Sequence, residues 1–268
     1  MPFYKVTVVL ESAGNSSITF KEPVMIDDIT LRTDVSDQNH RPKIYAEFEF
    51  KSEDEPSQIK NYAYSEIEKK VLPIIIFLSK SPYRIRDINI EPLSEIREED
   101  NIIKINAIVP IQIGSRGHIS IVFEDPSAEV LSLLERLNRI DPDSESVLVR
   151  AIKYWNRAMS DPDPIDRFIN LYIALEILAG ELVKEEYENN KWVSALYDKF
   201  GLNGVYGGYK IHHIRAALLH YKNEHLSKDE AERIVKEHVN EFSQEVFKLI
   251  KIYFDQKASG GSIDVYRR

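Results

Sequence analysis

The 268-residue chain contains no cysteine. Disulfides, thiolate zinc sites and thiol nucleophiles are therefore excluded. Long hydrophobic runs are missing too: the most apolar stretch, Val71 to Leu78, is interrupted by Pro73 and is far too short to span a bilayer. Positive charge is in deficit, with 35 Lys+Arg against 44 Asp+Glu and a formal net charge of -9. A general nucleic-acid coat neutralises phosphates with a surplus of Lys and Arg, so this composition argues against one. Residues 143–256, with 15 Lys+Arg and 19 Asp+Glu, are no more basic. RNA or a nucleotide would have to be met through a local site. The opening MPFYKVTVVLES lacks a basic start and a small-residue cleavage site and reads as a strand. The expectation is a cytoplasmic protein that does not engage a membrane.

What is present is a change of period partway along the chain. Residues 3–10, 44–50, 84–90, 102–113 and 118–123 alternate apolar and polar side chains or are rich in β-branched residues, as half-buried strands are. Gly114 to Gly117 reads as a hairpin turn, and one helix over 58–79 interrupts the strands, with Tyr62, Ile67 and Val71 as core positions. After Asp125-Pro126 the helical period takes over, with helices expected at 127–139, 144–159, 164–187, 191–199, 209–222 and 228–254. Asp-Pro pairs at 141, 161 and 163 mark their starts and stops. The last helix places Ala231, Val235, Phe242, Val246, Leu249 and Tyr253 on one stripe, as the long member of a bundle would. The fold class is α+β: a strand-rich domain with one helix over 1–124, a connecting segment over 125–142, an all-α bundle over 143–256 and a tail over 257–268.

Two helices place a charge among apolar residues. At about 100° per residue, Glu176 falls near the centre of a stripe made by Ile165, Phe168, Ile169, Tyr172, Ala179 and Val183. Arg215 falls within the stripe of Ile211, Ile214, Leu218 and Tyr221. Unpaired buried charges are too costly to keep, so the two should pair with each other or line a wet cleft. The stretch IHHIRAALLHYKNEH, residues 211–225, also holds four of the seven histidines. No two of them stand three or four residues apart, the spacing by which a helix offers two ligands to one metal, and HExxH is absent. His220 with Glu224 is the one neighbouring pair able to chelate, so neither a metal nor another cofactor is expected.

Arg215, four intervening residues and His220 resemble the R-x4-6-H signature of the HEPN superfamily, helical-bundle proteins that include many ribonucleases of toxin and phage-defence systems. Arg167-Phe168 leading into Ala174-Leu175-Glu176 is similar to the helix that precedes the motif, especially in ApeA-like and related branches. The resemblance covers about 143–256. It implies an all-α bundle and a metal-independent ribonuclease in which Arg215 holds the phosphate and His220 is general acid or base. Imidazole suits that role because it exchanges protons near neutral pH. By the same resemblance Glu176 would orient Arg215, His213 or Lys222 would add a contact, and motifs from two subunits would meet in one cleft, giving a homodimer through the 209–222 helix. The resemblance leaves residues 1–124 without a role; they could meet a protein partner, and as sensor or adaptor they belong to the non-catalytic reading that follows. Two positions depart from the pattern of many active members: Ala216 replaces a polar residue after the arginine, and Lys222 stands where some carry tyrosine. A non-catalytic HEPN module that binds a nucleotide, an RNA end or a protein partner therefore remains open, as does a purely structural bundle. Arg233 and His238 repeat the spacing in a charge-dense stretch with no comparable preceding helix, and read as coincidence.

Overall fold

The computed structural model describes residues 3–14, 16–34, 42–52, 54–93, 119–123, 127–220 and 226–260. The class is α+β. The chain divides into two compact units, residues 1–132 and 133–268. Among the described residues no helix is long and apolar enough to cross a membrane.

The first unit is built on an antiparallel sheet of five strands in the order β3-β4-β5-β1-β6. Its strands are β1 (Phe3–Ser12), β3 (Val24–Ile26), β4 (Ile29–Asp34), β5 (Lys43–Lys51) and β6 (Tyr83–Leu93). Period-2 alternation sends Val6, Val8 and Leu10 of β1 to the same buried face as their partners Phe48, Ala46 and Ile44 of β5. A bulge between Val9 and Leu10 offsets β6, and both Arg84 and Arg86 reach Glu11 at 2.9 Å. A separate parallel pair joins β2 (Ser16–Phe20) to β7 (Ile119–Phe123). Strands β2, β3 and β4 were not anticipated, and β3, with three residues, is too short to display a period. The strand expected at 102–113 and the turn at 114–117 lie outside the described residues.

The expected 58–79 helix is longer and irregular. It comprises α1 (Pro56–Glu66), a π-helical turn (Ile67–Val71) and α2 (Leu72–Ser79). Pro73 explains the π turn, because its ring displaces the carbonyl four residues back and it has no N–H to give. The Leu72 N–H bonds to the Ile67 carbonyl, five residues back. Ile67 and Val71 are buried, as expected. Tyr62 is not a core residue: it is 40% exposed and stacks on Phe50 at 4.3 Å.

In the second unit α4 (Pro142–Ser160), α5 (Pro164–Leu182) and α9 (Lys228–Ala258) make the core. Each starts on a side chain that accepts orphan N–H groups: Asp141 from Ser144, Asp163 from Ile165 and Asp166, and Ser227 from Glu230. All six stripe residues of α9 are buried. The Trp155 indole N–H donates to the Ser243 carbonyl at 3.2 Å, and Phe168 meets Phe242 at 5.3 Å between centroids. The division between units falls inside α3 (Ser127–Leu137), so part of the expected connector belongs to the helical unit. Arg136 of α3 lies over the Phe254 ring at 4.5 Å and pairs with Asp255. The expected tail also begins too early, since α9 continues to Ala258, which is buried.

The expected 164–187 helix breaks at Val183, whose φ of -139° and ψ of 48° are not helical. The Lys199 ammonium donates to the freed Leu182 carbonyl at 2.9 Å, and α6 (Lys184–Glu188) and α7 (Trp192–Phe200) follow. The expected 209–222 helix is likewise shorter. Residues 205–210 form a hairpin of β8 (Val205–Tyr206) and β9 (Tyr209–Lys210), turning on Gly207 and Gly208 with φ of 56° and 84°. A Cβ on Gly207 would also lie 2.7 Å from Ile234. Helix α8 (Ile211–Leu219) starts where the hairpin ends.

Glu245 of α9 holds this hairpin in place, accepting from the Tyr206 hydroxyl at 2.5 Å and the Asn203 backbone N–H at 2.7 Å. Burial, as the largest influence, raises its carboxyl above the ordinary value of 4.5. A carboxyl raised on folding contributes stability that is complete below the unfolded value and is lost as pH rises through the folded one. Glu245→Gln cannot titrate and lacks this dependence. Its urea-unfolding stability relative to wild type should therefore increase between pH 4.5 and neutrality; a constant difference would show that Glu245 does not titrate in this range.

Candidate active site

Helix α8 buries Ile211, Ile214 and Ala217. Ile214 lines a small apolar pocket with Phe168 of α5 and Ile234, Val235, Val239 and Phe242 of α9. Arg215 is about 100° around the helix from Ile214, which puts it at the rim of that face and not within it. Glu176, expected near the centre of its stripe, likewise lies at the edge. The buried arc of α5 runs through Phe168, Leu171, Tyr172, Ala174, Leu175, Leu178, Ala179 and Leu182, and Glu176 borders it.

The two rims adjoin. A guanidinium nitrogen of Arg215 stands 3.8 Å from the Glu176 carboxylate, with side chains 37% and 32% exposed. The alternatives of a pair and a wet cleft therefore coincide: the charges face each other at ion-pair distance and both keep water. The Arg215 guanidinium carbon also lies 4.9 Å from the centroid of the buried Tyr172 ring. Burial first, and then the Glu176 charge, push the Tyr172 phenol above its ordinary range, with Arg215 opposing them. Tyr172 thus stays neutral and presents a ring face to the cation. Among the described residues Arg215 makes no hydrogen bond, so its planar fork is available to two oxygens of a phosphate.

His220 is not on the helix. It is the C-cap of α8, with extended backbone (φ -115°, ψ 130°), an exposed side chain and an N–H that donates to the Ala216 carbonyl at 2.9 Å. The angle of a helical wheel therefore does not describe its direction relative to Arg215. His213 occupies the first turn of α8, with its ring against His212 at a centroid distance of 4.2 Å. Leu219, the last helical residue before His220, is about 9 Å along the axis from His213, so the helix does not bring the two imidazoles together. Tyr221, Lys222, Glu224 and His225 lie outside the described residues.

The second copy of the spacing is consumed locally. Arg233 pairs with Glu230 and Glu237 at 2.7 Å each, and His238 lies 3.3 Å from Glu241. Among the described residues no group of three or more histidines and carboxylates could hold a metal ion. The residue that sequence reasoning left out of the site is Tyr172. Its signal was present, because it stands four residues before Glu176 and so on the same side of α5. No family model, curated protein or solved structure matches this chain.

A half-exposed ion pair is worth under about 1 kcal/mol, whereas breaking a buried one costs about 3–5 kcal/mol. Glu176→Gln should accordingly lower the urea-unfolding free energy of the chain by no more than about 1 kcal/mol. A loss in the larger range would mean that the pair sets helix register and is not a wet site.

Proposed function

We propose that the helical unit is a HEPN-like, metal-independent endoribonuclease in which Arg215 binds the scissile phosphate and His220 transfers protons. One observation carries the reading: a half-exposed guanidinium, set against Tyr172 and Glu176 with its donors uncommitted, stands five residues before an exposed histidine. In the reaction an imidazole takes the proton of a ribose 2′-hydroxyl and the 2′-oxygen attacks phosphorus. The bond to the 5′-oxygen breaks, and that oxygen receives a proton from an imidazolium, leaving a 2′,3′-cyclic phosphate and a 5′-hydroxyl. Arg215 offsets the charge that grows on the non-bridging oxygens.

Acid and base are needed on opposite sides of the phosphorus, and one chain offers one strong candidate imidazole. A homodimer packed through α8 supplies two. Leu219, 50% exposed at the end of α8 beside His220, and Val205, 46% exposed on the preceding hairpin, offer apolar surface for such a contact. The net charge of -9 and Ala216 favour the second reading, a non-catalytic module that binds a nucleotide, an RNA end or a protein partner.

Cleavage of mixed RNA decides between them. His220→Ala should lower the rate about a hundredfold or more while leaving the fold intact, because the side chain is exposed. Activity should persist in excess EDTA. Wild-type cleavage by a folded His220→Ala protein would remove His220 from the mechanism, and a chelator-sensitive reaction restored by zinc or manganese would make it metal-dependent. Mixing Arg215→Ala with His220→Ala subunits should recover part of the activity through heterodimers. A monomer that cleaves RNA would end the composite-site idea, and a dimer that cleaves nothing would leave the binding module.

A further inference from the structure

The Tyr172 ring beneath Arg215 is the first of a row. Trp192, at the start of α7, meets Tyr172 edge-on with centroids 5.9 Å apart, and Tyr187 of α6 meets Trp192 at 5.8 Å. The row runs from a buried ring to an open one: Tyr172 is 3% exposed and Tyr187 is 40% exposed. A fixed turn brings the last two together. Asn190 has a φ of 58°, and the Lys191 N–H donates to the Glu186 carbonyl at 2.8 Å, so residues five apart in sequence meet ring to ring. Among the described residues neither the Trp192 indole N–H nor the Tyr187 hydroxyl makes a hydrogen bond. An apolar surface of this kind, with donors at its edge and a cation at its inner end, has the features of a nucleotide subsite.

The flanking charges fix which part of the nucleotide goes where. Glu185, Glu186 and Glu188 are exposed around Tyr187 and outnumber the exposed Lys184 and Lys191, so the local charge is negative and disfavours a phosphate while leaving a neutral base unaffected. We propose that Trp192 and Tyr187 form a stacking subsite for an unpaired nucleobase of single-stranded RNA whose neighbouring phosphate lies against Arg215. The proposal rests on the phosphate role given above to Arg215, and it adds a substrate class: RNA with a base free to leave the stack, not duplex.

The test uses the whole chain and a short, labelled 2′-O-methyl RNA, which lacks the attacking hydroxyl, beside an abasic strand of equal length. Fluorescence anisotropy should show binding of the first and much weaker binding of the second. Tyr187→Ala and Trp192→Ala should each weaken the first about five- to hundredfold. Trp192→Phe, which keeps a stacking ring, should lose little affinity. Arg215→Ala should weaken both strands by similar factors. Indole fluorescence should be quenched on binding, and the quench should vanish in Trp192→Phe, because the chain's other tryptophan, Trp155, is buried. Equal affinity for the abasic strand, no binding of either, or no effect of the two alanine variants would overturn the subsite. RNA cleavage, assayed separately, distinguishes the two claims. Normal cleavage unaffected by Tyr187→Ala and Trp192→Ala removes the subsite and leaves the nuclease. Base-dependent binding without cleavage of ordinary RNA keeps the subsite and removes the nuclease.

Discussion

Helix α5 is buried over a wide arc, and Glu176 stands at its edge. Eight of its residues, from Phe168 to Leu182, are closed off from water. A carboxylate among them would lose its hydration without a partner able to replace it. Glu176 therefore sits where the arc ends, one turn beyond Tyr172 on the same side. Helix α8 obeys the same constraint with Ile211, Ile214 and Ala217, and Arg215 takes the corresponding rim. The meeting of the two charges at 3.8 Å follows from packing those two apolar faces in one unit.

The rim decides the character of the pair as well as its place. In a dry interior two such charges would cost several kcal/mol each to desolvate, and their value would lie in fixing register. Half exposed, they contribute little to stability, and the guanidinium is held by geometry more than by energy. Tyr172 supplies one wall and Glu176 another, and the Arg215 side chain stays 37% exposed. Such a cation is oriented before any anion arrives, as the phosphate role proposed for Arg215 requires.

What positions α8 lies before it in the chain. Gly207 and Gly208 make a turn that other residues would resist, and Gly207 additionally lets the hairpin approach Ile234 of α9. Glu245 then ties Tyr206 and Asn203 to α9. In the first unit Arg84 and Arg86, two apart on β6, share the Glu11 carboxylate of β1.

The sequence by itself determined the order of sheet and bundle, the α9 stripe and the Asp-Pro starts of α4 and α5. Those features rest on period and on local side-chain-to-backbone bonds, which neighbours along the chain specify. It also singled out Glu176 and Arg215, because two charges inside apolar patterns are visible without coordinates. It placed both too deep, since a wheel fitted to one helix cannot know that α5 is covered by several elements and has its buried arc displaced by them. The helix expected through His220 ended at Leu219, and the row from Tyr172 through Trp192 to Tyr187 was not legible at all. Chain reversal at Val183 and Asn190 is what assembles that row, and contacts between residues distant in sequence are decided by tertiary packing alone.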